Sequence, residues 1–154
     1  MPGKTWIAIA VFVVDRITKL LAARLPAAGV TLISGVLRLR LTRNTGMAFS
    51  FFSGHPKLLG VLSIPLILGV GFFLRKKALN PLTRTGVMML LGGAAGNAAD
   101  RLFLGYVTDM LEPLFVNFAV FNVADACLVA GCLLILPEIF GSGKGGRERD
   151  AAGK

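Results

Sequence analysis

The chain has 154 residues, of which 55% are hydrophobic and only 16% are charged, and its mean hydropathy is +0.73. A soluble domain of this size could not bury so much apolar surface, whereas a protein that crosses a bilayer several times exposes that surface to lipid. The net charge of +9 is carried by short basic segments between apolar runs, not by one polar face interleaved with aromatic residues. These features exclude an ordinary soluble domain and argue against a nucleic-acid partner.

Four segments are long and apolar enough to cross a bilayer, which takes roughly 20 residues. They lie at about 5–23, 58–74, 85–99 and 121–140. The third is rich in glycine and alanine, which favours close packing between helices. The sequence therefore predicts an all-α polytopic membrane protein with four transmembrane helices, built as one domain over residues 1–140.

The polar segments set the expected orientation. Residues 75–84 (RKKALNPLTR) and 141–154 (GSGKGGRERDAAGK) are basic, and Lys4 precedes the first span. With four spans these segments share one side, which the positive-inside rule makes cytoplasmic. We therefore expect both termini in the cytoplasm, with 141–154 as a disordered basic tail. Four outer basic residues weaken this asymmetry without reversing it: Arg38, Arg40, Arg43 and Lys57.

The outer segment at about 24–57 carries a strand pattern. Residues 36–42 (VLRLRLT) alternate between apolar and polar, which is typical of a half-buried strand, and 30–34 (VTLIS) can pair with them across a turn at Gly35. The sequence predicts a small antiparallel β-sheet on the extracytoplasmic surface. Residues 48–52 (AFSFF) form an aromatic patch that we expect at the membrane interface, above the site.

Ionisable residues in or beside the predicted spans are functional candidates, because a charge in lipid is costly. The acidic ones are Asp15, Asp100, Asp109, Glu112 and Asp125. In DRITK, Asp15 and Lys19 stand four residues apart on one helix face and can form an ion pair. A purely structural role for this pair stays open.

Two further motifs supply polar residues near the predicted outer surface. RNTGMAF contributes Asn44 and Gly46, where an asparagine offers the donor and acceptor needed to grip an extended peptide, although Asn-Thr-Gly is also ordinary turn chemistry. In GNAADR, Asn97 and Asp100 share a helix face, and Arg101 can neutralise Asp100. A capped, charge-paired helix end is the alternative interpretation of this second motif.

Asp109 in GYVTDM and Asp125 in FNVADA are the strongest catalytic candidates. Asp125 opens the fourth span, with Asn122 three residues earlier on the same face. If the chain folds back between 110 and 120, the two carboxyl groups meet at the outer membrane surface and tend to share a proton. One ionised and one protonated carboxyl can together catalyse the attack of water on a peptide bond.

Spacing leaves Asp100 open as an alternative partner of Asp125. We favour Asp109, because Arg101 directly follows Asp100 and would hold it ionised. Other hydrolytic mechanisms lack residues: His55 is the only histidine, so neither a zinc site nor a Ser-His-Asp triad is predicted. We expect no metal and no cofactor.

In order and spacing, the motifs DRITK, RNTGMAF, GGAAGNAADR, GYVTDM and FNVADA resemble the lipoprotein signal peptidase (signal peptidase II) family, from about residue 11 to 135. This resemblance implies an aspartic endopeptidase of the bacterial inner (plasma) membrane. Its substrates would be prolipoproteins, cut just before a cysteine that bears a diacylglyceryl group. We expect a monomer in contact with these substrates and with membrane lipid.

The resemblance also implies a role for each motif residue. Asp109 and Asp125 would form the catalytic dyad, and Asp15 and Lys19 would support the fold. The residues that would hold the substrate and orient the dyad are Asn44, Gly46, Asn97, Asp100, Arg101 and Asn122.

Two other functions compete with this one. A small proton-coupled membrane transporter also uses paired intramembrane acids, but the cytoplasmic halves of these spans carry few polar residues along which ions could pass. A structural membrane subunit would use its acids only to cap helices. That role leaves unexplained why three aspartates and three asparagines are expected on one side of the membrane.

Overall fold

The computed structural model describes residues 4–46, 55–75 and 79–141. The helices are α1 (Thr5–Ala22), α2 (Pro56–Arg75), α3 (Pro81–Phe103) and α4 (Val123–Gly141), and the strands are β1 (Val30–Ile33), β2 (Leu37–Asn44) and β3 (Val107–Pro113). Each predicted span corresponds to one helix, and the third helix extends beyond both predicted ends. The predicted aromatic patch at 48–52 and all but the first residue of the predicted tail lie outside the described residues.

One of the described helices is long and apolar enough to cross a membrane by length and composition, namely α4 over Val123–Phe140. The apolar stretch of α2, Pro56–Phe72, is shorter. In α1 the apolar run is interrupted by Asp15, Arg16 and Lys19. By the criterion of length and composition, the prediction of four transmembrane helices is therefore supported for α4 alone among the described helices.

Helix α3 lies at the centre and packs against α1, α2 and α4. Its glycines permit these contacts: a Cβ at Gly86 would lie 2.6 Å from the carbonyl oxygen of Gly131, and one at Gly93 would lie 2.7 Å from that of Ala124. Gly92 faces the backbone of α1 in the same way. Because these neighbours are backbone atoms, a larger side chain could fit only if a helix moved.

The strands form one antiparallel sheet in the order β1-β2-β3. β1 and β2 are joined across Gly35, whose φ of 71° is in the left-handed region, so the predicted hairpin is confirmed. Strand β3 is absent from the prediction. Its first four residues, 107–110, are all buried, so their side chains do not show the polar-apolar alternation of a strand with one solvated face.

A β-bulge in β2 decides which side chains share a face with β3. Leu39 lies opposite Leu111 and Thr42 lies opposite Asp109, so β2 advances from 39 to 42 while β3 moves only from 111 to 109. The extra residue reverses the alternation of side chains along β2. As a result Asn44 lies on the same face as Asp109.

After β3 the chain folds back, which meets the condition under which Asp109 and Asp125 could come together. The carbonyl oxygen of Phe121 accepts hydrogen bonds from the backbone N–H groups of Met110 and Leu111, at 3.0 and 2.8 Å. The N–H of Phe121 donates to the carbonyl of Leu111 at 3.0 Å. These bonds bring the start of α4 beside Asp109.

Two of the outer arginines have a local acidic partner. Glu112 on β3 lies 2.6 Å from Nε of Arg38 and 2.7 Å from a terminal nitrogen of Arg40. The hydrogen bond from Arg38 is the main cause that lowers the pKa of Glu112. Glu112 therefore neutralises part of the positive charge in the predicted outer segment, and it lies in a surface ion cluster.

We predict that Gly86→Ala lowers the melting midpoint of the purified protein in detergent. The added methyl group would push α3 and α4 apart, at a typical overpacking cost of about 1–3 kcal/mol. The control is Gly69→Ala on α2, where a Cβ meets no atom within 4 Å and the better helix propensity of alanine should preserve or raise stability. Equal melting of the two variants would contradict the close approach of α3 and α4.

Candidate active site

Four charged side chains of α1 and α3 form a buried cluster. Nζ of Lys19 lies 2.9 Å from Oδ2 of Asp15 and 2.9 Å from Oδ2 of Asp100, so the predicted pair of Asp15 and Lys19 forms. Arg16 lies 3.1 Å from Asp15 and 2.7 Å from Asp100. Both carboxylates are completely buried. The two acids and two bases balance in charge, which offsets the large cost of removing them from water.

The predicted partner of Asp100 needs correction. The ion pairs of Asp100 are with Arg16 and Lys19 instead of Arg101, because consecutive residues on a helix point about 100° apart. Oδ2 of Asp100 also accepts the backbone N–H of Thr108 at 3.0 Å. Asp100 therefore holds strand β3 at the residue before Asp109.

The N-terminus of α4 is capped from two directions. Oδ1 of Asp15 accepts the backbone N–H of Ala124 at 3.1 Å, from the facing helix. Oδ1 of Asn122 accepts the N–H of Asp125 at 2.9 Å, and Oδ2 of Asp125 accepts the N–H of Asn122 at 3.2 Å. This reciprocal capping box fixes the Asp125 carboxylate at the positive end of the helix.

Asp109 is buried between two asparagines. Nδ2 of Asn122 donates to Oδ1 of Asp109 at 2.6 Å, and Nδ2 of Asn44 donates to Oδ2 at 3.1 Å. Burial raises the pKa of Asp109 to about 6; the negative charge of Asp125 adds to the rise, while the hydrogen bonds from both asparagines oppose it. Asp109 is therefore a carboxyl group that can hold a proton near neutral pH.

Asn97 joins the charged cluster to Asp125. Its Oδ1 accepts hydrogen bonds from Nζ of Lys19 at 3.0 Å and from Nδ2 of Asn122 at 3.1 Å. Its Nδ2 donates to Oδ1 of Asp125 at 2.7 Å. A lysine ammonium can only donate, so the amide oxygen must face Lys19 and the amide nitrogen must face Asp125.

The asparagine of RNTGMAF forms the expected turn and also contacts Asp109. Oδ1 of Asn44 accepts the N–H of Gly46 at 3.0 Å, as in an ordinary turn, while its Nδ2 reaches Asp109. The carbonyl of Gly46 accepts a long hydrogen bond of 3.4 Å from Arg101. The charge of Arg101 also interacts with Asp125, Asp109 and, more weakly, Asp100. Arg101 thus lies beside the two candidate catalytic carboxyl groups.

The structure brings the predicted site residues of α1, β2, α3, β3 and α4 into one continuous network. Sequence reasoning misses Arg16 and Thr108, which hold Asp100. A signal for Arg16 exists, since a cation inside an apolar run requires a buried acid as partner. Among the described residues no group of three His, Cys, Asp or Glu side chains is arranged to bind a metal ion.

Comparison with known protein families matches residues 7–141 to signal peptidase (SPase) II. A lipoprotein signal peptidase from Nostoc sp. is 40% identical over 136 residues, which cover 84% of this chain and 86% of the relative. One from Lactobacillus johnsonii is 42% identical over 106 residues, covering 68% and 69%. One from Mycobacterium bovis is 35% identical over 144 residues, covering 88% and 70%.

Two solved structures share the fold, and both are described as bacterial membrane enzymes. One superimposes with a TM-score of 0.86 at 26% identity and covers 94% of this chain and 92% of its own. The other gives a TM-score of 0.80 at 28% identity and covers 90% and 94%. The matched range includes every residue of the network, and the predicted family is confirmed: the chain is a peptidase that belongs to the signal peptidase II family.

Proposed function

We propose that this chain is an intramembrane aspartic endopeptidase that removes signal peptides from diacylglyceryl-modified prolipoproteins, cutting just before the lipid-modified cysteine. Family membership supports the cleavage of signal peptides from lipoproteins. The observation that carries the aspartic mechanism is the linkage of Asp109 and Asp125 through a single residue, Asn122, which bonds to both carboxyl groups.

The two carboxyl groups suit different parts of the reaction. Asp125 lies in the capping box at the N-terminus of α4, where the helix dipole favours a carboxylate, and it accepts hydrogen bonds from Asn97 and from the N–H of Asn122. Asp109, whose pKa is raised to about 6, holds the proton. Ionised Asp125 takes a proton from the attacking water, while Asp109 donates a hydrogen bond to the scissile carbonyl and then protonates the leaving nitrogen.

Asp100 acts in this mechanism as a support. Its oxygens are engaged by Arg16, Lys19 and the N–H of Thr108, so they are occupied with holding the helices and β3 together. The shared contact of Asp109 and Asp125 with Asn122 favours these two as the dyad. In the sequence, Asp109 is favoured because Arg101 follows Asp100. In the structure, it is favoured because Asn122 bonds to both Asp109 and Asp125.

We propose that the four helices cross the bacterial inner (plasma) membrane, with both termini in the cytoplasm. The outward faces of the helices are apolar, as shown by Trp6 and Phe72, which are each 65% exposed. The charged residues of α1 and α3 instead face one another in the neutral cluster. The dyad then lies near the extracytoplasmic surface, where the acyl chains of a lipid-modified substrate meet its peptide.

We expect Asp109→Asn and Asp125→Asn each to lower cleavage by about 10²–10⁴-fold, because each removes a group that transfers a proton. The assay is cleavage of a diacylglyceryl-modified prolipoprotein peptide by the purified protein in detergent. Asp100→Asn serves as the comparison and should keep partial activity while melting at a lower temperature.

Two outcomes of this assay would contradict the proposal. If Asp100→Asn is inactive at normal stability while Asp109→Asn cleaves, Asp100 is the partner of Asp125. If the folded wild-type protein cleaves nothing, the peptidase mechanism fails, and proton flux in liposomes would then test the transporter alternative.

The pH dependence of kcat/KM should report the proton on Asp109. Since the acid form is required and its pKa is about 6, activity should fall as the pH rises above that value, roughly tenfold per pH unit. Asn44→Ala removes a hydrogen bond that opposes the raised pKa, so in this variant the decline should begin at a higher pH. A flat profile between about pH 5 and 8 would rule out a protonated Asp109.

A further inference from the structure

The ammonium group of Lys19 makes three contacts, which equals the number of its hydrogen-bond donors. Two are the ion pairs with Asp15 and Asp100, both at 2.9 Å. The third is the hydrogen bond of 3.0 Å to Oδ1 of Asn97. Only 4% of Lys19 is exposed, so water does not compete for these donors. The third contact adds nothing to charge balance; it satisfies the remaining donor and fixes which end of the Asn97 amide faces Lys19.

The contact with Lys19 fixes the orientation of the Asn97 amide relative to Asp125. With its oxygen held by Lys19, its amide nitrogen points to Oδ1 of Asp125 at 2.7 Å. The other donor to Oδ1 of Asn97 is Nδ2 of Asn122, which is also bonded to Asp109 at 2.6 Å. Lys19 is thus a cationic donor that orients this amide without itself contacting either catalytic aspartate through a hydrogen bond in the described network.

We propose that Lys19 is a positioning residue for the dyad: through the amide of Asn97 it holds the Asp125 carboxylate in the orientation that accepts the proton of the attacking water. This inference rests on the proposed function and goes beyond support of the fold. The charged groups around Asp125 that any variant must preserve or balance lie on three neighbouring elements: Asp15, Arg16 and Lys19 on α1, Asp100 and Arg101 on α3, and Asp109 on β3.

Arg16 provides a comparison within the same cluster. It pairs with the same two acids as Lys19, at 3.1 Å from Asp15 and 2.7 Å from Asp100. Its remaining hydrogen bond goes to the backbone carbonyl of Gly96 at 3.2 Å. Loss of either cation changes the charge of the cluster by the same amount, but only loss of Lys19 removes the cationic donor from the amide of Asn97 and leaves its oxygen to Asn122 alone.

The test compares Lys19→Met with Arg16→Met, each in an Asp15→Asn background that restores charge balance. Asparagine at position 15 keeps an oxygen that can accept the N–H of Ala124, so both proteins should fold, as thermal melting will show. Relative to Asp15→Asn alone, we expect the Lys19 variant to lose about tenfold or more in kcat, with KM within about twofold. The Arg16 variant should lose less than about threefold in kcat.

A double-mutant cycle separates positioning from support of the fold. If Lys19 acts through Asn97, the effect of Lys19→Met on kcat should disappear once Asn97→Ala is present. The effect of Arg16→Met should be the same in both backgrounds. An additive effect of Lys19→Met, a loss confined to KM, or equal kcat losses in the Lys19 and Arg16 variants would overturn the inference.

The same experiment distinguishes failure of this inference from failure of the proposed function. Wild type and Asp125→Asn are measured beside the variants. Absence of cleavage by folded wild type overturns the proposed peptidase mechanism. An active wild type, an inactive Asp125→Asn and an unaffected Lys19 variant would overturn only the role of Lys19.

Discussion

The arrangement of the helices depends on the need to satisfy a buried ammonium group. Lys19 is buried away from water, so its three donors require three acceptors at fixed positions in the protein. These acceptors come from α1 itself and from two turns of α3, and Asp15 then reaches on to the backbone of α4 at Ala124. One charge thereby determines how α1, α3 and α4 approach each other near the candidate site.

Three asparagines connect the charged cluster by hydrogen bonds to the two aspartates of the proposed dyad. In Asn44, Asn97 and Asn122 the amide oxygen accepts from a fixed donor and the amide nitrogen donates to an aspartate. An amide suits this task because it has a donor at one end and an acceptor at the other, with no charge of its own. The asparagines therefore orient the aspartate side chains without adding a charge next to them.

The sequence predicts much of this site because ionisable and amide residues stand out against apolar runs, as Asp109, Asn122 and Asp125 do. It gives the wrong ion-pair partner for Asp100, because Arg101 is adjacent in the chain whereas Arg16 and Lys19 reach Asp100 only when α1 packs on α3. β3 is missed because its first residues are buried on both faces. The bulge that aligns Asn44 with Asp109 depends on pairing register, which no local pattern reveals.

The cap that Asp15 provides for α4 has a consequence for biosynthesis. Donor and acceptor are separated by 109 positions in the chain, and Asp125 lies on α4, which is synthesised after α1, α2 and α3. Helices α1, α2 and α3 are therefore complete while Asp125, half of the proposed dyad, is still absent. Under the proposed mechanism, a nascent chain cannot cleave substrate until α4 has been made and its N-terminus has docked on Asp15.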